Sequence, residues 1–257
     1  MTTATALIWE HLPGLAHEIA LGADGSAWCL GLGETSPGGY SIHHWTGHDW
    51  NHVEGAAVKI AVDRRTGFQP VANFRQTEPV AADIGADVEA SLWVVNRDHE
   101  ILRYSPSGWE LLRGRAREIA VGANGGAWCL SAADFAPGGG SIHVWNGRDW
   151  DHVDGAAVKI AVGPDGEPWI VNSAGQIFRR SGEGWELLPG LAREIAIAAD
   201  GSVWCLSAAT APSEESSIHV WNGSDWDHVP GAALKIAAGA PGAVWLVNSQ
   251  HQIFRSA

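Results

Sequence analysis

The chain has 257 residues, 46% hydrophobic and only 18% charged, which is enough apolar material for a large core and excludes a disordered segment. Sixteen Lys and Arg against 29 Asp and Glu give a formal charge of -13, which excludes the basic surface of a nucleic-acid or anionic-membrane binder. Three cysteines, at 29, 129 and 205, form no disulfide framework, and no run approaches the roughly 18 apolar residues of a membrane span.

The opening MTTATALIWEHLPG has no basic leader and no long apolar stretch, so a cytoplasmic or non-classically secreted protein is expected. Within it, LIWEHL (7–12) reads as a strand. EIALGADGSAWCL (18–30) reads as two short strands about an Asp24-Gly25 turn, and SIHHWTGHDWNHVEGAAVKIAV (41–62) as a further pair leading into the next unit. Residues 64–90 have no later counterpart. From Trp109 the text repeats, with EIAVGANGGAWCL at 118–130 and EIAIAADGSVWCL at 194–206, while the 41–62 segment recurs at 141–162 and 217–238. Trp50, Trp150 and Trp226 are spaced by 100 and 76 residues, and the difference is the 64–90 insertion. Three units of about 76 residues therefore begin near 9, 109 and 185. Each divides again, so half-repeats start at Trp9, Trp50, Trp109, Trp150, Trp185 and Trp226.

No segment sustains a 3.6-residue period. Short strands rich in Ile, Val and Trp, three to four per half-repeat and six times over, predict an all-β chain. The expected form is one domain over 1–257, a six-bladed β-propeller of four-stranded antiparallel blades. The last blade runs out at QIFRSA, so strand 7–12 should pair with the C-terminal strand and close the ring.

The half-repeats GEGWELLPGLAREIAIAADGSVWCL and GRDWDHVDGAAVKIAVGPDGEPWIVN resemble the tectonin repeat, and the resemblance covers nearly the whole chain apart from the insertion. It implies a six-bladed propeller that binds glycans, often bacterial-surface or methylated sugars, in recognition or defence. Fungal tectonins, tachylectin-type lectins and fish-egg lectins belong to this group. Tectonin repeats also occur in proteins that act through protein–protein contact, so a non-enzymatic scaffold using the insertion and the odd-blade loops stands as the alternative.

The repeat separates scaffold from candidates. Trp28, Trp93, Trp128, Trp169, Trp204 and Trp245 occur in every half-repeat and read as packing between blades. The strand-leading set Trp9, Trp50, Trp109, Trp150, Trp185 and Trp226 also has a packing reading, but Trp50, Trp150 and Trp226 face further candidates. Trp45, Trp145 and Trp221 occur only in the odd blades, as do Asp49, Asp149 and Asp225, the His43/His143/His219 row and the His52/His152/His228 row. If SIHVWNGRDWDHV is a hairpin about Gly147 and Arg148, paired numbers sum to 295. Trp145 then faces Trp150 and His143 faces His152. Aromatic rings beside imidazoles and an Asp suit a sugar, whose apolar face stacks while its hydroxyls take placed donors and acceptors. The competing reading makes these buried, space-filling residues. Arg103, Arg179 and Arg255 occur only in even blades and either reach the adjacent odd-blade site or form a solvated face.

Glu18, Lys59, Glu118, Lys159, Glu194 and Lys235 alternate in sign before each Ile-Ala, which predicts an ion-pair ring on the innermost strands. Asn96, Asn172 and Asn248 suit turns. The Gly/Pro/Ser-rich stretches 31–40, 131–140 and 207–216 read as long loops. Cys29, Cys129 and Cys205 should be buried thiols. No nucleophile elbow, zinc-protease helix or P-loop is present, so neither catalytic residues nor a metal or cofactor are expected, and the partner is a glycan rather than nucleic acid or membrane. The sequence leaves the oligomeric state open.

Overall fold

The computed structural model describes residues 7–35, 38–62, 92–105, 108–136, 138–208 and 215–257. They form an all-β chain of antiparallel sheets. The 64–90 insertion lies outside the described residues.

In chain order, β1 (Trp9–Leu15) precedes the four-stranded sheet of β2 (Glu18–Leu21), β3 (Ala27–Thr35), β4 (Gly39–Trp45) and β5 (Trp50–Ala57). A seven-stranded sheet follows: β6 (Lys59–Val62), β7 (Leu92–Val95), β8 (Glu100–Ser105), β9 (Gly108–Val121), β10 (Ala127–Ala136), β11 (Gly139–Trp145) and β12 (Trp150–Ala157). The next has the same order: β13 (Lys159–Val162), β14 (Pro168–Val171), β15 (Gln176–Ser181), β16 (Gly184–Ile197), β17 (Val203–Ser207), β18 (Ser216–Trp221) and β19 (Trp226–Ala233). Last come β20 (Lys235–Ala238), β21 (Val244–Val247) and β22 (Gln252–Ser256), with β1 paired to β22.

The 14-residue strands β9 and β16 join two sheets' worth of pairing. Trp109 and Glu110 pair with β8, whereas Ala116–Val121 pair with β10, and the register breaks between them. Asx turns close the inner hairpins: Asp24 and Asp200 each accept a backbone N–H two residues on. Asn96, Asn172 and Asn248 likewise each accept N–H bonds from their own turn.

Two expectations shift. The first strand runs from Trp9 to Leu15 rather than 7–12, because it starts opposite Ser256, where β22 ends, and continues past a bulge to pair Leu15 with Gln252. Residues 31–35 and 131–136 are not loops. After a register shift, β3 and β10 go on pairing with β4 and β11, so small residues there form extended hairpins. Residues 209–214 of the third such stretch lie outside the described residues.

Apolar side chains collect in layers between neighbouring strand sets. Leu30 and Ile42 meet Ile60, Val94 and Tyr104, and Cys29 meets Val247 and Trp245. Burying one such aliphatic side chain is worth roughly 1.5–3 kcal/mol, so these layers are the main source of stability.

The alternating charges meet as the sequence predicts. Lys59 Nζ lies 3.0 Å from Glu18 and 3.2 Å from Glu118; Lys159 lies 2.9 Å from Glu118 and 3.1 Å from Glu194; Lys235 lies 2.8 Å from Glu194 and 3.6 Å from Glu18. The series returns to its first carboxylate. Burial alone would raise the Glu18 carboxyl, but the ammonium groups of Lys59, Lys235 and Lys159 outweigh it and hold it down to about 2. Lys59 is correspondingly pushed well above the usual lysine range, its burial being outweighed by Glu18, Glu118 and Glu194. At the far ends of the same strands, Leu21, Val62, Val121, Val162, Ile197 and Ala238 are among the residues around a space of only about 40 Å³.

Candidate functional site

The β4–β5, β11–β12 and β18–β19 hairpins have the register that the spacing predicts. Trp145 opposes Trp150 and His143 opposes His152, with the same pairs at 45/50, 43/52, 221/226 and 219/228. Each Trp pair has ring centroids 5.1 Å apart, and each His pair 5.4 Å apart. His52, His152 and His228 are exposed, while His43, His143 and His219 are half-buried. The inner imidazoles are fixed from behind: Ser41, Ser141 and Ser217 lie 2.9, 3.1 and 3.0 Å from their Nε2 atoms. Burial, then the facing His52 or His228, lowers the pKa of His43 and His219. Both are therefore neutral near pH 7.

Asp49, Asp149 and Asp225 stand at the hairpin tips. Each Oδ1 accepts the backbone N–H of the following Trp, at 2.7, 2.9 and 2.8 Å. One carboxylate oxygen is thus spent on the turn, while the side chain remains exposed. The Trp50, Trp150 and Trp226 indoles are anchored too, donating to the carbonyls of Pro13, Arg113 and Pro189. Their N–H groups are taken, so what they offer a ligand is ring surface.

Strands β8, β15 and β22, with their neighbours, supply the other side of each cluster. Cross-strand rows run Trp245–Arg255–Glu10, Trp93–Arg103–Glu110 and Trp169–Arg179–Glu186, and directly opposed residues share a sheet face. In each row Arg binds Glu, at 2.6, 2.6 and 2.7 Å. The Arg103 guanidinium also lies 5.4 Å from the Trp93 ring centre. The row's Trp then meets the next Trp pair edge-on: Trp245 is 6.0 Å from Trp45, Trp93 is 6.0 Å from Trp145, and Trp169 is 5.8 Å from Trp221. The result is three copies of one side-chain cluster. Each holds three half-buried or buried indoles, an Arg–Glu ion pair and, two residues along the hairpin, a His pair.

The structure therefore places Arg103, Arg179 and Arg255 opposite Trp93, Trp169 and Trp245, and it is those rings that touch Trp145, Trp221 and Trp45. It also shows Trp45, Trp145 and Trp221 packed into the layers between strand sets, so part of their surface is structural. Sequence reasoning missed Glu10, Glu110 and Glu186, and it read Trp93, Trp169 and Trp245 as scaffold alone. The signal was present in the Trp-Glu start of each even-blade outer strand, against Trp-Asn or Trp-Asp in the odd ones. Cys29, Cys129 and Cys205 oppose His43, His143 and His219, but they are buried, and burial pushes each thiol up to about 12. Among the described residues no three His, Cys, Asp or Glu side chains are placed to hold a metal ion.

Solved structures with the same fold include YCF48 bound to a D1 peptide, with 15% identity, 98% of this chain and 97% of that one covered, and a TM-score of 0.58. A gluconolactonase from Xanthomonas campestris is 13% identical over 97% and 89%, with a TM-score of 0.59. The WD40 β-propeller domain of Doa1 is 10% identical over 100% and 98%, with a TM-score of 0.58. At such identities the likeness concerns the fold alone. No curated protein matches. The Tectonin domain model matches residues 80–257, more than half of the sequence, and the chain belongs to that family.

Proposed function

We propose that this chain is a multivalent carbohydrate-binding protein, a tectonin-type lectin built as a single six-bladed propeller. Counting β9 and β16 twice, once on each side of their register breaks, turns 22 strands into six sets of four. The β1–β22 pairing then closes the ring.

The observation that carries the reading is the threefold recurrence of this cluster, which we read as a sugar-binding groove. Indole surface beside an Arg–Glu fork offers a pyranose both an apolar face to stack on and paired donors and acceptors for its hydroxyls. Three such grooves on one rigid body raise avidity towards a surface that displays many copies of a glycan, where an enzyme would concentrate its chemistry in one place. We accordingly assign no catalytic role and no cofactor. The partners we propose are glycoconjugates or bacterial surface polysaccharide, methylated sugars included, met in the cytoplasm or after non-classical export.

The test is a glycan array probed with the wild-type chain and with two variants. One replaces His52, His152 and His228 by Ala; the other replaces Arg103, Arg179 and Arg255 by Gln. These positions are preferred to Trp145, whose loss would open the layer it packs in. Sugar-competable binding that falls by tenfold or more, on the order expected for a lost charge-assisted hydrogen bond at each site, supports the grooves. Competable binding equal in all three proteins removes the site from the grooves. A folded chain that binds no glycan refutes the lectin and favours the protein-docking scaffold.

A further inference from the structure

A second kind of cleft lies on the other face of the β11–β12 hairpin. Side chains alternate along a strand, so Val144 and Asp151 point away from the face that holds Trp145 and Trp150. Trp128, opposite Val144, shares that second face. Trp128 and Val144 pack in one layer with Trp185, near the start of β16. Beside Trp185 stands Arg180, its direct cross-strand partner on β15.

Arg180 is the informative residue. Its guanidinium carbon lies 5.3 Å from the Trp185 ring centre, so the indole supports the flat face of the cation. Arg179, one residue earlier, is spent on Glu186, as Arg103 is on Glu110 and Arg255 on Glu10. Arg180 makes no ion pair and no hydrogen bond with any described residue. The half-buried side chain encloses Nη1, whereas Nε and Nη2 keep contact with solvent. The acids of the facing strand are engaged elsewhere. Asp151 gives Oδ1 to Asn146, and Asp154, whose carbonyl accepts the Trp185 indole N–H, has its carboxylate 3.9 Å from His152.

The same position in the other two units is closed. Tyr104 is 5% exposed, with its ring 5.1 Å from Trp109. Ser256 donates its hydroxyl to the Gly242 carbonyl and accepts the Val244 N–H. An uncharged residue therefore satisfies the fold at this place. A stacked guanidinium with two open donor atoms calls for a partner from outside the chain.

We infer that Arg180 binds the carboxylate of a uronic acid residue in a glycan, at a site separate from the three clusters. Nε–H and the neighbouring Nη2–H lie side by side in one plane and match the two carboxylate oxygens, while the indole beneath keeps that plane fixed. The sugar class rests on the lectin reading; the anion site rests on Arg180. It occurs once among the three units, so it breaks the threefold repeat and lets one unit tell acidic from neutral glycans.

The probes are the methyl glycosides of glucuronic and galacturonic acid, with methyl glucoside and methyl galactoside as neutral counterparts. Each is titrated by calorimetry at constant ionic strength into the wild-type chain, Arg180→Tyr and Arg180→Ser, which carry the residues of the other units. The expected result is saturable binding of at least one uronide with a Kd near ~1 mM, about tenfold tighter than its neutral counterpart, and loss of that preference in both variants. No uronide saturating by ~20 mM in a folded chain, no preference over the neutral sugar, or a preference kept in either variant would overturn the inference. Binding of neutral glycans on an array, measured with the same Arg180→Tyr sample, should equal wild type. Neutral binding without a uronide preference sinks this site and leaves the lectin reading; a uronide preference without neutral binding sinks the three clusters and leaves Arg180.

Discussion

His44 offers the sharpest test of the packing. It is only 6% exposed and lies 4.6 Å from the Trp28 ring, where the second and third units have Val144 and Val220. Burial, partly offset by Asp24, lowers its pKa from 6.5 to about 4. The unfolded chain therefore takes up this proton first. The stability His44 contributes is complete above pH 6.5 and is lost progressively as the pH falls towards 4. Working from those two values, the loss between about pH 7.5 and pH 4.5 is about 2.5 kcal/mol. His44→Val reproduces the residue of the other two units and removes the titration. Urea unfolding at a series of pH values should show wild type losing about 2.5 kcal/mol more than the variant across that interval. Parallel stability curves would refute the assignment of a neutral, buried imidazole at this position.

Two further perturbations follow from the same reasoning. Lys159→Met leaves Glu118 and Glu194 buried with one lysine partner each, and should cost roughly 3–5 kcal/mol in urea unfolding at neutral pH; a loss within experimental error would mean the ring is well solvated. Because burial pushes Cys29, Cys129 and Cys205 up to about 12, a thiol reagent near pH 8 should leave all three unmodified in the folded chain and label them together on unfolding. Rapid labelling under native conditions would contradict their burial.

What was legible in the sequence was whatever repeats within one hairpin or one strand. The register of Trp145 with Trp150 follows from the turn between them, and the sign alternation of Glu18 through Lys235 follows from six copies of one strand. What was hidden depends on pairs set by a second strand or a second sheet. Arg103 meets Glu110 only through the register of β8 against β9, and Arg255 meets Glu10 across the whole length of the chain. Trp93 meets Trp145 through an edge contact between β7 and β11, four places apart in one sheet, which no local alternation records. The strand beyond Leu30 was missed because its pairing resumes only after a register shift, in a stretch whose glycines read as a loop.

The ion-pair ring also imposes a parity rule. A closed series of alternating charges exists only for an even number of members. Removing or adding one half-repeat would set two glutamates or two lysines side by side in a buried place, where like charges repel without water to screen them. Removing or adding two preserves the alternation. The arithmetic of sign thus makes the pair of half-repeats the smallest unit by which this architecture can be lengthened or shortened, and that is the period at which its sequence repeats.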